Sequence, residues 1–208
     1  MLKRIILFLG ILFYTLGAEA LTTTDDKQWQ SYFGVEGGVG MMNISTAFIF
    51  GGNAFNAYGL VGLSYGGGIL GGWQKYTYEK VGMRNTLGLR VFGAKNLKAK
   101  QIEYEKYEKD LFVDSTFYYA LDGLFDFVKN GNNHFGMSLG FSIDLLQLTE
   151  SKDLFGLGLF FRFSPRLGFY TQFGNHIVDL IASVPLVGAG GGELAYNSTL
   201  TLGYKYLF

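Results

Sequence analysis

The sequence predicts an all-β fold, a transmembrane antiparallel up-and-down β-barrel of eight strands, with ten as the rival count. Three observations predict it. The 208 residues are 49% hydrophobic and 16% charged, with 31 Gly, 20 Phe, 14 Tyr and only 2 Pro; strands favour such aromatics, whereas a soluble helical enzyme is richer in Ala, Leu, Glu and Lys. From Phe155 to Phe173 apolar side chains stand at every second position, far beyond the roughly five or six residues of a globular strand. At about 3.3 Å per residue and a tilt near 45°, such a strand rises roughly 45 Å and crosses the ~25 Å apolar band of a membrane barrel. The closing segment NSTLTLGYKYLF sets Leu200, Leu202, Tyr204, Tyr206 and Phe208 on one face. A terminal strand frays unless something holds it, so a wholly apolar face here implies pairing with the first strand and contact with lipid.

The elements follow in order. Met1-Leu-Lys-Arg4 is basic, Ile5 to Gly17 is a run of 13 apolar or small residues with one Thr, and Ala18-Glu19-Ala20 is a small-x-small cleavage pattern. This reads as a cleaved export signal over 1–20, since the run is too short for the roughly 20 residues of a spanning helix. Removing it takes away Lys3, Arg4 and Glu19 and leaves 15 basic and 16 acidic groups of the 17 and 17 present. Residues 21–30 form a short periplasmic segment and 31–208 the barrel. Alternation places strands at 31–42, 58–78, 85–96, 111–128, 134–148, 154–173, 177–187 and 197–208. The glycines at 66–68 and 71–72 leave the second strand's register open and permit a bulge. Pro165 is awkward in a sheet, and a bulge or an unpaired position is expected there. An even strand count puts both termini on one side. Turns at 79–84, 129–133 and 174–176 are then periplasmic, and connections at 43–57, 97–110, 149–153 and 188–196 face outward. Trp73, Tyr76, Tyr78, Phe127, Phe173, Tyr204 and Tyr206 fall near strand ends, where aromatic girdles belong.

The direction of burial follows from the polar face. In a soluble sandwich that face is rich in Lys and Glu, but here it carries Gly, Ser, Asp and Arg, small and pairable groups suited to the interior of a narrow closed barrel. The inward charges are Glu36, Asp114, Asp122, Asp126, Asp144 and Asp179 against Arg84, Arg90, Arg162, Arg166 and Lys205. Six acids against five bases predict a pairing network filling the lumen. An eight-stranded interior is just wide enough for side chains, and near balance selects no ion.

Other classes are disfavoured. Near-zero net charge steers the chain toward no nucleic acid. With no cysteine, disulfides, an N-terminal lipid anchor and thiolate metal sites are ruled out; no cofactor or metal is expected. The only histidines are His134 and His176. Both are expected to be solvated at periplasmic turns, away from outer-leaflet lipid, with no phosphate loop or His-Glu-x-x-His motif beside them. A non-enzymatic role is therefore expected, with a narrow porin-like channel as the alternative and a lipid-modifying enzyme third.

Thr201-x-Gly203-x-x-Tyr206-x-Phe208 looks like the C-terminal signal by which the barrel-assembly machinery recognises outer-membrane barrels. The stretches GGWQKYTYEKVGMRNTLGLRVFGAKN, DSTFYYALDGLFDFVKNGNNHFGMSLGF, GFYTQFGNHIVDLIASVPLV and LGYKYLF resemble successive barrel blocks of the Helicobacter outer-membrane protein family over roughly residues 70–208. The shared features are its G-x-R-x-F/Y-G strand, its Tyr-x-x-x-x-Asp-x-Leu-x-x-Phe segment and its x-Pro-Leu strand end. The resemblance implies localisation in the cell outer membrane. Larger members include adhesins and porins with big extracellular insertions, for which 43–57 and 97–110 leave little room here. The charged stretch KNLKAKQIEYEKYEKD is expected as a solvated surface loop. In the sharper reading Lys98, Lys100, Lys106 and Lys109 meet lipopolysaccharide, while Tyr104 and Tyr107 offer contact area to a host or surface partner.

Overall fold

The computed structural model describes residues 29–50, 53–95, 98–99, 111–150, 153–190 and 194–208, with side chains apart from those of 44–60, 98–99, 150–160 and 187–195. The export signal, the 21–28 segment and most of the charged loop lie outside the described residues. Ten strand segments run in chain order: β1 (Gln30–Phe50), β2 (Asn53–Tyr78), β3 (Val81–Lys95), β4 (Lys98–Ala99), β5 (Leu111–Asn130), β6 (Asn133–Glu150), β7 (Asp153–Phe173), β8 (His176–Ser183), β9 (Val187–Gly190) and β10 (Leu194–Leu207). They make eight staves. β4 pairs with β2 in continuation of β3, and β9 pairs with β7 in continuation of β8. Neighbours are antiparallel, and β1 pairs with both β2 and β10. The sheet is closed into a barrel, so the last strand is paired with the first and is not left as a sheet edge.

The alternation in the sequence is the alternation in space. Phe33, Val35, Val39 and Met41 are exposed on the outside of β1, and Leu200, Leu202, Tyr204, Tyr206 and Phe208 on the outside of β10. Residues between them point into the lumen and are buried. The final residue is held: Phe208 N donates to Ser31 O at 2.9 Å, and Leu207 N to Asn175 O at 2.8 Å.

Strand ends depart from the sequence expectation in one direction. Expected turns at 79–84, 129–133 and 174–176 shrink to two residues each, at 79–80, 131–132 and 174–175, and the expected connections at 43–57 and 149–153 are mostly strand. The stretch 149–153, TESKD, is polar on both faces and looks like a loop, while 43–57 carries Ile44, Phe48, Ile49, Phe50 and Phe55 without a regular alternation; both keep the ladder of their hairpins. The three-glycine run brings no bulge: β1–β2 pairing is continuous from Gln30↔Gln74 to Ser45↔Gly59, with shifts at Ser45/Thr46 and, against β3, at Tyr76/Tyr78. The second shift reverses parity. Tyr76, on the inward parity of Leu70 and Gln74, faces the lumen at 5% exposure and leaves the expected aromatic girdle, while Tyr78, beyond the shift, is 73% exposed.

Pro165 sits in an unbroken β6–β7 ladder opposite Phe141. Its carbonyl accepts the Val184 amide at 3.1 Å, so its missing N–H lies on the β8 side, next to the break at 184–186. The expected 177–187 strand is thus two segments, and both Leu186 and Val187 oppose Phe163, a bulge. In the turns, Gly131 and Gly174 have φ of 57°, where a Cβ is disfavoured. Gly131→Ala and Gly174→Ala are each expected to cost about 1 kcal/mol, read as a lower urea midpoint of the refolded barrel.

Candidate functional site

The lumen is crossed by polar braces from the turn end to the opposite mouth. All eleven inward charges expected from parity are buried, none more than 8% exposed. Nearest the turns, Asp126 on β5 accepts hydrogen bonds from Tyr170 on β7 and from Tyr76 on β2, the latter at 3.2 Å, and its other oxygen lies 2.6 Å from His134 Nδ1. His134 stacks on Tyr76 with centroids 4.9 Å apart, and Lys129 Nζ stands 5.2 Å from the same ring. Beside them Gln74 on β2 spans to Gln172 on β7 at 3.1 Å.

One tier further in, Asp179 on β8 is shared by Lys205 and by Arg84 Nη1 at 3.1 Å. Arg84 on β3 reaches it from the opposite wall, and its remaining donors meet Gln74 Oε1 at 3.2 Å. At mid-depth Tyr118 on β5 donates to Glu36 on β1 at 3.0 Å. Its ring lies against Arg90 at 4.9 Å and Arg166 at 5.6 Å, and it fills the space over Gly88, where a Cβ would strike the phenol. Arg166 Nε is 3.4 Å from Asp122 Oδ1 but misaligned for a hydrogen bond.

Toward the far mouth, Asp144 Oδ2 gathers Arg90 at 3.2 Å, Arg162 at 3.1 Å and Ser164 at 3.1 Å. Arg162 also reaches Asp114 at 3.4 Å. Asp114 accepts from Thr116 and from Asn197 at 3.2 Å, and Asn197 accepts from Ser64 at 2.8 Å. Apart from the Arg166–Asp122 pair, which is matched in charge but misaligned, these ions are matched and hydrogen-bonded, the condition under which buried charge is tolerable.

His134 departs from expectation. It is 5% exposed and is a partner of Asp126, so the sixth acid has a basic neighbour of its own. The signal was present: its even position on β6 shares parity with Ser138, Ser142 and Asp144. It was expected to be solvated because it opens the expected 134–148 strand, directly beside the turn. His176 is exposed as expected and bonds Tyr204 OH at 2.7 Å. Tyr170 shares the even, polar face of Arg162 and Arg166 in the sequence, whereas Tyr32 and Tyr118, also large enough to span a narrow lumen, were given no face; parity alone places them inside. His134→Phe keeps a ring on Tyr76 but removes one partner of Asp126; a loss of roughly 1–3 kcal/mol in urea unfolding is expected.

Of the terminal motif, Thr201 and Gly203 point inward and Tyr206 and Phe208 outward at 39% and 63% exposure. Lys98 lies on β4, paired with Val61; Lys100, Tyr104, Lys106, Tyr107 and Lys109 lie outside the described residues. The exterior carries large apolar side chains on every stave with fully described side chains, among them Leu63 at 73%, Leu139 at 56% and Phe169 at 51% exposure. A belt of that extent greatly exceeds the few hundred Å² a soluble monomer leaves in water.

Comparison with solved structures returns outer-membrane barrels. The chain is 9% identical to the attachment invasion locus protein Ail of Yersinia pestis, with a TM-score of 0.32 over 85% of this chain and 99% of that one. With the outer membrane protease OmpT of Escherichia coli the figures are 10%, 0.41, 91% and 100%. With the COG4313 outer membrane channel of Pseudomonas putida F1 they are 9%, 0.31, 90% and 100%. No protein-family model matches the sequence, and no curated sequence is significantly similar to it. At such identities the activity of no neighbour transfers.

Proposed function

We propose that the chain is an exported outer-membrane barrel, a small member of the Helicobacter outer-membrane protein family, whose lumen is closed by its own side chains. Its role is structural or surface-interacting and not enzymatic. The observation that carries this reading is the succession of braces between lumen side chains, Tyr76–Asp126–Tyr170, Arg84–Asp179, Tyr118–Glu36 and Arg162–Asp114, at successive levels of the described residues. The histidines support it too: His134 is committed to Asp126 and stacked on Tyr76, and His176 lies at the turn end. Interaction then falls to the exterior and the outward loops, where lipopolysaccharide and a surface partner meet the chain, while the terminal strand is read by the assembly machinery.

Planar-bilayer recording of the refolded chain tests this. No discrete openings are expected from the natural sequence. Openings that are altered in Arg90→Ala and Arg162→Ala would establish a conducting lumen and overturn the closed-barrel reading.

A further inference from the structure

Among the described residues the wall is incomplete along the seam between β8/β9 and β10. β10 pairs with β1 as far as Ser45↔Leu194, but with β8 only from Tyr206↔His176 to Thr199↔Ser183. Beyond Ser183 the chain stays laddered to β7 alone: Val184 N and Leu186 N donate to Pro165 O and Phe163 O, and β9 pairs with β7. Because the amides of 184 and 186 aim at β7, residue 185 aims at β10, and residue 185 is a proline with no N–H to give. The interruption is therefore written in the sequence and confined to the β10 side.

Its level matters. Eight residues of β8 at a tilt near 45° put the seam roughly 19 Å from the turns, close to the outer limit of the apolar band. Outside it stand exposed Val184, Leu186 and Leu200, at 50%, 61% and 45%. Inside it stands Thr199, 6% exposed, whose Oγ1 has no hydrogen-bond partner, beside buried Ser183 and Asn197. Asn197 donates to Asp114, whose charge is met by Arg162, so Thr199, Ser183 and Asn197 present hydrogen-bonding groups and no charge of their own.

Apolar flanks outside, an unsatisfied hydroxyl within and no ladder between are complementary to one class of molecule. Resting on the outer-membrane reading, we propose that the β8/β9–β10 seam is a lateral binding site for an outer-leaflet amphiphile, whose uncharged hydroxyl-bearing head passes through the wall to Thr199 while its chain lies along Val184, Leu186 and Leu200.

The probe is dodecyl maltoside, with the refolded full barrel followed by intermolecular NOEs. Cross-peaks from the maltoside head to the Thr199 methyl are expected. They should vanish when a Val184→Cys/Ser198→Cys pair is oxidised across the seam and return on reduction. Contacts that stop at Val184, Leu186 and Leu200, with none at Thr199, would overturn the site. Alkyl-chain NOEs to Val39, Leu139 and Leu167 on the remaining exterior report the membrane face separately, so failure of the site and failure of the membrane reading are distinguishable.

Discussion

Asp179→Ala is expected to lower the unfolding free energy of the refolded barrel by roughly 3–5 kcal/mol, because it strands charges that remain buried. Asp179 is the common partner of Arg84 and Lys205, side chains exposed by only 1% each. Neither can reach water without dismantling the tier. Lys205→Met is the informative contrast: it leaves Asp179 with Arg84 and Arg84 with Gln74, so its loss should be less than half as large. Urea titration in lipid vesicles, followed through Trp29 and Trp73, measures both. A drop of under about 1 kcal/mol for Asp179→Ala would place it among ordinary exposed pairs and contradict a closed, dry lumen.

Gly66→Val should prevent folding altogether. A Cβ at Gly66 would run into the carbonyl oxygen of Val91 on the neighbouring strand, and backbone on both sides of that contact is laddered and cannot withdraw. Gly93→Val is the control: it adds bulk to the outside of the adjoining strand, where a Cβ meets only Leu111 Cδ1 at 3.6 Å. On cold gel electrophoresis the Gly93 variant should keep the fast-migrating folded band and the Gly66 variant should show only the unfolded one. A folded Gly66→Val barrel would mean that β2 and β3 can separate here at little cost.

These two positions also show what was legible in the sequence. Period-two alternation carries the face of every residue, so the eleven lumen charges and the outer belt were readable once strands were recognised. Gly66 and Gly88 were readable as inward glycines, but what excludes a side chain differs: a carbonyl at one, the Tyr118 ring at the other. That depends on the coil of the strands and on a residue thirty positions away. Boundaries failed where chemistry and geometry part company. At 149–153 the hairpin is polar on both faces and at 43–57 its apolar residues do not alternate strictly, so no local pattern separates either from a loop. Tyr76 failed because its nearness to a strand end was weighed above its parity with Leu70 and Gln74; the shift at Tyr76/Tyr78 turns Tyr78 outward. His134 failed because nearness to the turn was weighed above its parity, although two residues suffice to reverse a strand and the ladder runs on to Asn130↔Asn133.

The clasp of Phe208 on Ser31 has a kinetic consequence. Pairing of β1 with β10 joins residues as far apart in sequence as the described chain permits, whereas the five tight neighbours β1–β2, β2–β3, β5–β6, β6–β7 and β7–β8 join residues close along it. Loop-closure entropy makes such distant pairing the slowest to form. Hairpins can accumulate as the chain arrives, but the ring shuts last and in one event, so the buried charges find their partners only once the C-terminal strand has docked.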